Sequence, residues 1–202
     1  MPRIVRFHQT GGSDVLKIVE EPLVPPKEGE VRLRVHALGL NRAEAMFRSG
    51  AYLEVAQLPS RLGYEAAGVV DAIGPGVSSV KIGDRVSTIP AFGLSAHGVY
   101  GESAVVPAIA VAPYPEHFTP EQGCAVWMQY MTVWIGLLER GRLQKGQTVL
   151  ITAASSSVGL AAIQIAKATG ATTIAVTRKA AKKTRLLEAG ADHVVVTDQE
   201  EL

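Results

Sequence analysis

The sequence predicts an α/β chain in two parts, a β-rich part over 1–118 and an alternating strand–helix part over 119–202. Three observations predict this. Val31, Leu33, Val35 and Ala37 alternate with Arg32, Arg34 and His36, the period-two pattern of a half-buried strand. Between Gly63 and Val86 short apolar runs recur between glycine-rich turns, the spacing of a compact barrel or sandwich. From Gln147 onward, strand-like and helix-like segments alternate with short connections, which implies a parallel sheet.

In order along the chain, Arg3 to His8 reads as a strand ended by Gly11-Gly12, and Pro22, Pro25 and Pro26 then hold the chain extended. Asn41 followed by Glu44 has capping-box spacing, and Gly50 closes a helix over Arg42 to Ser49. Gly68-Val69-Val70 runs to the turn Gly74-Pro75-Gly76, and Gly83-Asp84 precedes Arg85-Val86-Ser87. Ser103 to Pro107 and Ile109 to Ala112 extend the sheet. Thr119-Pro120-Glu121-Gln122 opens a helix running to about Arg140, with Gly141 as its stop. The remainder reads as strand 148–152, helix 158–169, strand 172–177, helix 180–189 and strand 193–196.

Composition narrows the function classes. Lys plus Arg count 20 and Asp plus Glu count 19, a net charge of +1, so neither nucleic acid nor an acidic membrane is expected as a partner. Apolar residues make up 47% and charged ones 19%, ordinary globular values. The single cysteine, Cys124, excludes an internal disulfide and any multi-thiolate metal site. It leaves a reducing cytoplasm as the default compartment. The uncharged stretch 147–166 is long enough to raise a membrane span, but its centre, Ala153-Ala154-Ser155-Ser156-Ser157, suits a strand, turn and helix better.

Thr152 to Gly159 is the most informative segment. A strand delivers a small-residue turn into a helix, where free N–H groups and the helix dipole favour an anion. Ala153, Ser156 and Gly159 occupy the spacing of the dinucleotide fingerprint, with one glycine of three. An ordinary strand–helix turn would look the same. At the end of the next strand, where an NAD-selective fold places an acid, the chain has Thr177-Arg178-Lys179 and then Lys182 and Lys183. Arg178 and Lys182 are spaced for one helix face. A 2′-phosphate is their natural occupant, which favours NADP over NAD; a solvated basic face is the plainer alternative.

The segments NRAEAMFRSGAY (41–52), GYEAAGVV (63–70), GPGVSSVKIGDRV (74–86) and Ala153 to Gly159 together resemble the zinc-independent medium-chain dehydrogenases/reductases of the quinone-oxidoreductase type. The resemblance implies a GroES-like catalytic domain, then part of a Rossmann domain, and NADPH-dependent reduction of a quinone, enone or related carbonyl compound. It places Tyr52 and Asn41 at the substrate as catalytic groups, and Thr132 beside the nicotinamide. NADP(H) would then be held by Thr132, Ala154, Ser155, Ser156, Ser157, Val158, Gly159, Thr177, Arg178 and Lys182. The competing structural readings are that Asn41 is just the helix cap, that Tyr52 is ordinary packing, and that Cys124 is a buried structural thiol rather than a nucleophile. The zinc-holding branch differs at each metal position: Asn41 stands for its first cysteine, Tyr64 for the histidine before Glu65, and Met128 for a later ligand. The four-cysteine lobe is missing, and His8, His36, His97, His117 and His193 have no ligand spacing. No zinc is expected.

The 56 residues from Gln147 hold three strands, one mononucleotide half of a six-stranded fold. The sequence therefore reads as the front part of a longer enzyme, with poor turnover expected of this stretch alone. Its first parallel strand would be an exposed edge, a route to homo-oligomers or to a non-catalytic interaction module.

Overall fold

The computed structural model describes residues 1–200, in two compact units, Met1–Met128 and a second beginning at Gln129. The first unit is antiparallel. Its five strands lie in the order β6-β3-β4-β5-β7, namely Ser103–Pro107, Glu30–Leu38, Ala66–Ile73, Arg85–Thr88 and Val111–Pro113. A separate ribbon pairs β1 (Arg3–Arg6) with β2 (Lys17–Glu20). The alternation read in the sequence is the pleat of β3, where Val31 and Leu33 are fully buried while Arg32 pairs with Asp71 at 2.8 Å. Gly68 is required where β3 and β4 approach: a Cβ there would lie 2.1 Å from the Arg34 carbonyl. Phe7 and Phe47 meet edge-on at 5.8 Å in the core.

Helix α1 (Arg42–Ser49) has the expected Asn41–Glu44 capping box, and Gly50 closes it at φ 79°. Two short elements, β2 and the single-turn α2 (Leu94–His97), were not legible in the sequence.

The helix expected from Thr119 to Arg140 is three pieces. α3 (Pro120–Cys124) stops early because Gly123 and Cys124 pack against Tyr114 and Ala67. α4 (Trp127–Val133) then starts afresh and passes into a π-helical stretch, Trp134–Arg140. The chain passes from the first compact unit to the second within α4, between Met128 and Gln129.

The second unit is a parallel sheet, β10-β9-β8, from β8 (Thr148–Ile151), β9 (Thr172–Thr177) and β10 (His193–Val196). α5 (Ser157–Thr169) joins β8 to β9, and a 3-10 turn (Ala180–Lys182) leading into α6 (Lys183–Glu188) joins β9 to β10. Ile151, Ile163, Ala175, Leu186 and Val196 form its core. Asp192 locks the sheet from below, accepting both the N–H (2.8 Å) and the hydroxyl (2.9 Å) of Thr173. No described helix is long and apolar enough to cross a membrane.

Candidate functional site

Chain direction builds the site. In a parallel sheet all C-terminal strand ends open on one side, where ligands bind. Here the turns after β8, β9 and β10 surround a cavity of about 630 Å³. The first turn contributes Ala153, Ser155 and Ser156, the second Thr177, Arg178, Lys179 and Lys182, and the third Thr197. Among the described residues no carboxylate lines it.

The first turn is tight. Ala153 takes φ +48°, a left-handed conformation that favours glycine. Ala154 is buried and donates its N–H to the Val176 carbonyl at 3.1 Å, tying the turn to β9. Ser156 is the N-cap of α5, its hydroxyl accepting the Gly159 N–H at 3.1 Å. A Cβ on Gly159 would lie 2.5 Å from the Ala154 carbonyl, so this one fingerprint glycine is the one that close helix–strand packing needs. Ser157 and Val158 are exposed on the first turn of α5, and their N–H groups have no partner among the described residues.

The second turn carries the charge. Arg178 and Lys179 precede the 3-10 turn, so Arg178 and Lys182 do not share a helix face as their spacing implied. They converge instead as walls of one cavity. Lys182 donates to the Ser155 hydroxyl at 3.1 Å, bridging the two turns. None of these cations is in an ion pair among the described residues.

Of the residues the sequence pointed to, Ser155, Ser156, Thr177, Arg178 and Lys182 line the cavity. Ala154 and Gly159 lie buried under it, and Ser157 and Val158 form the open helix end. Thr132 is exposed on α4 and outside the lining. Ala153, Lys179 and Thr197 belong to the lining but were not singled out as contacts. For Thr197 the available signal was its place just after the third parallel strand.

In the first unit, Asn41 is held by two carboxylates. Its amide nitrogen donates to Glu65 Oε2 at 2.8 Å and Glu44 Oε1 at 3.4 Å. Glu44 also accepts the N–H groups of Asn41 (2.6 Å) and Tyr64 (3.2 Å), and Glu65 that of Met128 (3.2 Å). Both glutamates are buried, at 2% and 5% exposure, and burial raises both carboxyls above the usual range. Both amide hydrogens of Asn41 thus meet carboxylate oxygens. Tyr52 is half-buried against the core. The Tyr64 phenol is pushed up, first by burial and then by the neighbouring Tyr52. Burial pushes the Cys124 thiol up to about 12, leaving it an inert core thiol. Among the described residues no group of three His, Cys, Asp or Glu side chains is placed to hold a metal ion.

The alcohol dehydrogenase GroES-like domain family matches residues 27–116, and the zinc-binding dehydrogenase family matches residues 157–202. Human quinone oxidoreductase is 39% identical over 169 residues, 83% of this chain and 50% of that protein. The human synaptic vesicle membrane protein VAT-1 homolog is 37% identical over 187 residues, 92% of this chain and 46% of that protein. Escherichia coli quinone oxidoreductase complexed with NADPH superposes with a TM-score of 0.86 at 34% identity, covering 98% of this chain and 60% of that one. The chain thus spans about half the length of the curated relatives it matches. A GroES-like unit followed by a parallel-sheet unit, in the order and with the sequence of these relatives, makes the chain a member of the quinone-oxidoreductase-like medium-chain dehydrogenases/reductases.

Proposed function

We propose that the chain binds NADP(H) at the ends of its parallel strands, and that the protein it represents transfers hydride from NADPH to a quinone, enone or related carbonyl compound without zinc. The observation that carries this reading is the cavity walled by Arg178, Lys179 and Lys182, with no acid among the described residues that line it. An acid at the end of the second strand would accept from a ribose 2′-hydroxyl; cations there suit a 2′-phosphate. The complex of the E. coli relative with NADPH supports the same choice.

The residues present fit that cofactor. The free N–H groups of Ser157 and Val158, at the positive end of a thirteen-residue helix, suit a pyrophosphate. Gly159 lets α5 sit close enough to β8 to present them. The nicotinamide, when bound, supplies the hydride; the protein supplies orientation and electrostatics. On the substrate side, Tyr52 donates its phenolic hydrogen to a carbonyl oxygen as charge develops there. Asn41 shapes that region through its carboxylate clasp. A cytoplasmic setting suits the single free, buried Cys124.

The test is a titration of the purified chain with NADPH and NADH, following nicotinamide fluorescence. NADPH is expected to bind more tightly. Replacing Arg178 and Lys182 together by alanine is expected to remove most of that preference, by on the order of a hundredfold for two charge-assisted contacts. Equal affinity for the two cofactors, unaltered by the double substitution, would refute the NADP(H) reading. One observation favours a second reading, an interaction module with little turnover: β8 is an unpaired sheet edge whose Leu150 is 47% exposed. Mass by light scattering that rises with concentration supports that reading.

A further inference from the structure

In the first unit a small cavity of about 10 Å³ lies where the β1–β2 ribbon meets β6. Its polar side chains are those of Glu21, Arg61 and Ser103, and Ile4, Val24 and Val105 give it apolar walls. Arg61 comes from the stretch leading into β4, and its Nη2 donates to the Ser103 carbonyl at 2.7 Å. Its Nε–H is sealed from solvent and meets no acceptor, alone in this among the buried side-chain polar atoms of the described residues. A buried donor without a partner is rare in a folded protein, and one on a charged group is the costliest kind.

The neighbouring charges do not answer it. Glu21 is committed to Arg6, whose Nε and Nη2 each donate to one of its two oxygens. The ion pairs among the described residues are Arg3–Glu102, Arg6–Glu21 and Arg32–Asp71, and Arg61 is in none of them. Arg6, Glu21 and Arg61 thus make a group of two cations and one anion, with the surplus charge on Arg61. Its guanidinium is pulled down to about 10, first by burial and then by Arg6, against the smaller opposing pull of Glu21. A water molecule in the cavity would satisfy the N–H and leave the surplus in place. An anion does both, and away from bulk water its attraction to a guanidinium is strengthened.

We infer that this cavity is a site for one small monovalent anion of the halide class, held by the Arg61 Nε–H beside the Arg6–Glu21 pair. Its size sets the class. About 10 Å³ is room for a single guest near the size of water, so phosphate, sulfate and carboxylates are excluded and a monatomic ion remains. Pro22 and Val24 are exposed at the rim, which gives the ion a way in from solvent. Once bound, it ties the ribbon to β6 and to the chain entering β4. The inference is independent of the NADP(H) reading, which concerns the other unit.

The test is the broadening of the chloride magnetic-resonance line by the 202-residue chain, titrated with sodium chloride at ionic strength held constant with sodium gluconate. Arg61→Met keeps the apolar stem and removes the cation, and its fold is checked by circular dichroism. It is expected to lose a saturable part of the broadening, because exposed cations elsewhere contribute equally to both proteins. The thermal midpoint of the wild-type chain is expected to rise with chloride, and that of Arg61→Met to stay flat. Glu21→Gln removes the one carboxylate of the group and is expected to tighten chloride roughly tenfold, the scale of one charge-assisted contact. Equal broadening by the wild-type chain and Arg61→Met would overturn the inference and leave water as the guest. If Arg61→Met does not fold, Glu21→Gln decides alone: a chloride affinity that it leaves unchanged overturns the inference.

Discussion

Ala153 and Gly159 occupy two ends of one fingerprint and make opposite demands. Ala153 holds a left-handed φ that costs an alanine about 1 kcal/mol. Ala153→Gly is therefore expected to raise stability by about that amount in urea unfolding, offset in part by the freedom glycine gains when unfolded. Gly159→Ala does the reverse, pressing a methyl onto the Ala154 carbonyl. It is expected to cost about 1–3 kcal/mol and to weaken NADPH binding by tilting α5 away from β8. At this scale the sequence was readable where residue type dictates local structure, as in the Ser156 cap of α5; the spacing of Arg178 and Lys182 was not a guide, because a 3-10 turn intervenes where a helix face was expected. Nor was the sequence readable for Asn41. Nothing local says that both its amide hydrogens meet carboxylates, because Glu65 comes from a distant strand start.

The clasp of Asn41, Glu44 and Glu65 joins α1 to the chain entering β4 and to the first turn of α4. Burial raises both carboxyls in the folded state, so that state holds their protons more tightly than the unfolded chain does. Their contribution is fully present below the unfolded value near 4.5 and is lost as pH rises through the folded values. Glu65→Gln, which keeps the shape and removes the charge, is expected to flatten the fall in urea midpoint as pH rises above the unfolded value near 4.5. An unchanged slope would mean that Glu65 does not titrate there. Asp192 works in the opposite sense: its bonds to Thr173 hold its carboxyl low, so its contribution is lost only on acidification. Among elements, β3, α1, β9 and β10 were legible because period and caps are local signals. The break between α3 and α4 was not, because the last turn of α3, Gly123 and Cys124, lies against Tyr114, a tertiary contact.

At the scale of the whole molecule, the metal question becomes an assay. Where the zinc-holding branch has ligands, this chain offers an amide, a phenol and a thioether. Elemental analysis of chelator-washed protein is expected to find zinc well below one equivalent; a full equivalent would overturn the zinc-free proposal. The two-part organisation was legible because period-two strands give way to strand–helix alternation, a change visible in one dimension. The cavity beside Arg61 was not, since it needs Glu21, Arg61 and Ser103 brought together from three distant stretches of the chain.

The two sheets also differ in how far apart in sequence their partners lie. β8, β9 and β10 are joined through single helical passages, so each pairing closes a short loop. In the other unit β3 must find β6, which follows four intervening helices and strands, and β5 must find β7. Loop closure is costlier there, and non-local pairing is slow. On dilution from denaturant the parallel unit is therefore expected to organise first. NADPH added during refolding would then find its basic crevice assembled while the antiparallel sheet is still searching for its partners. A fluorescence signal from the nucleotide that precedes burial of the Phe7–Phe47 core would report that order directly.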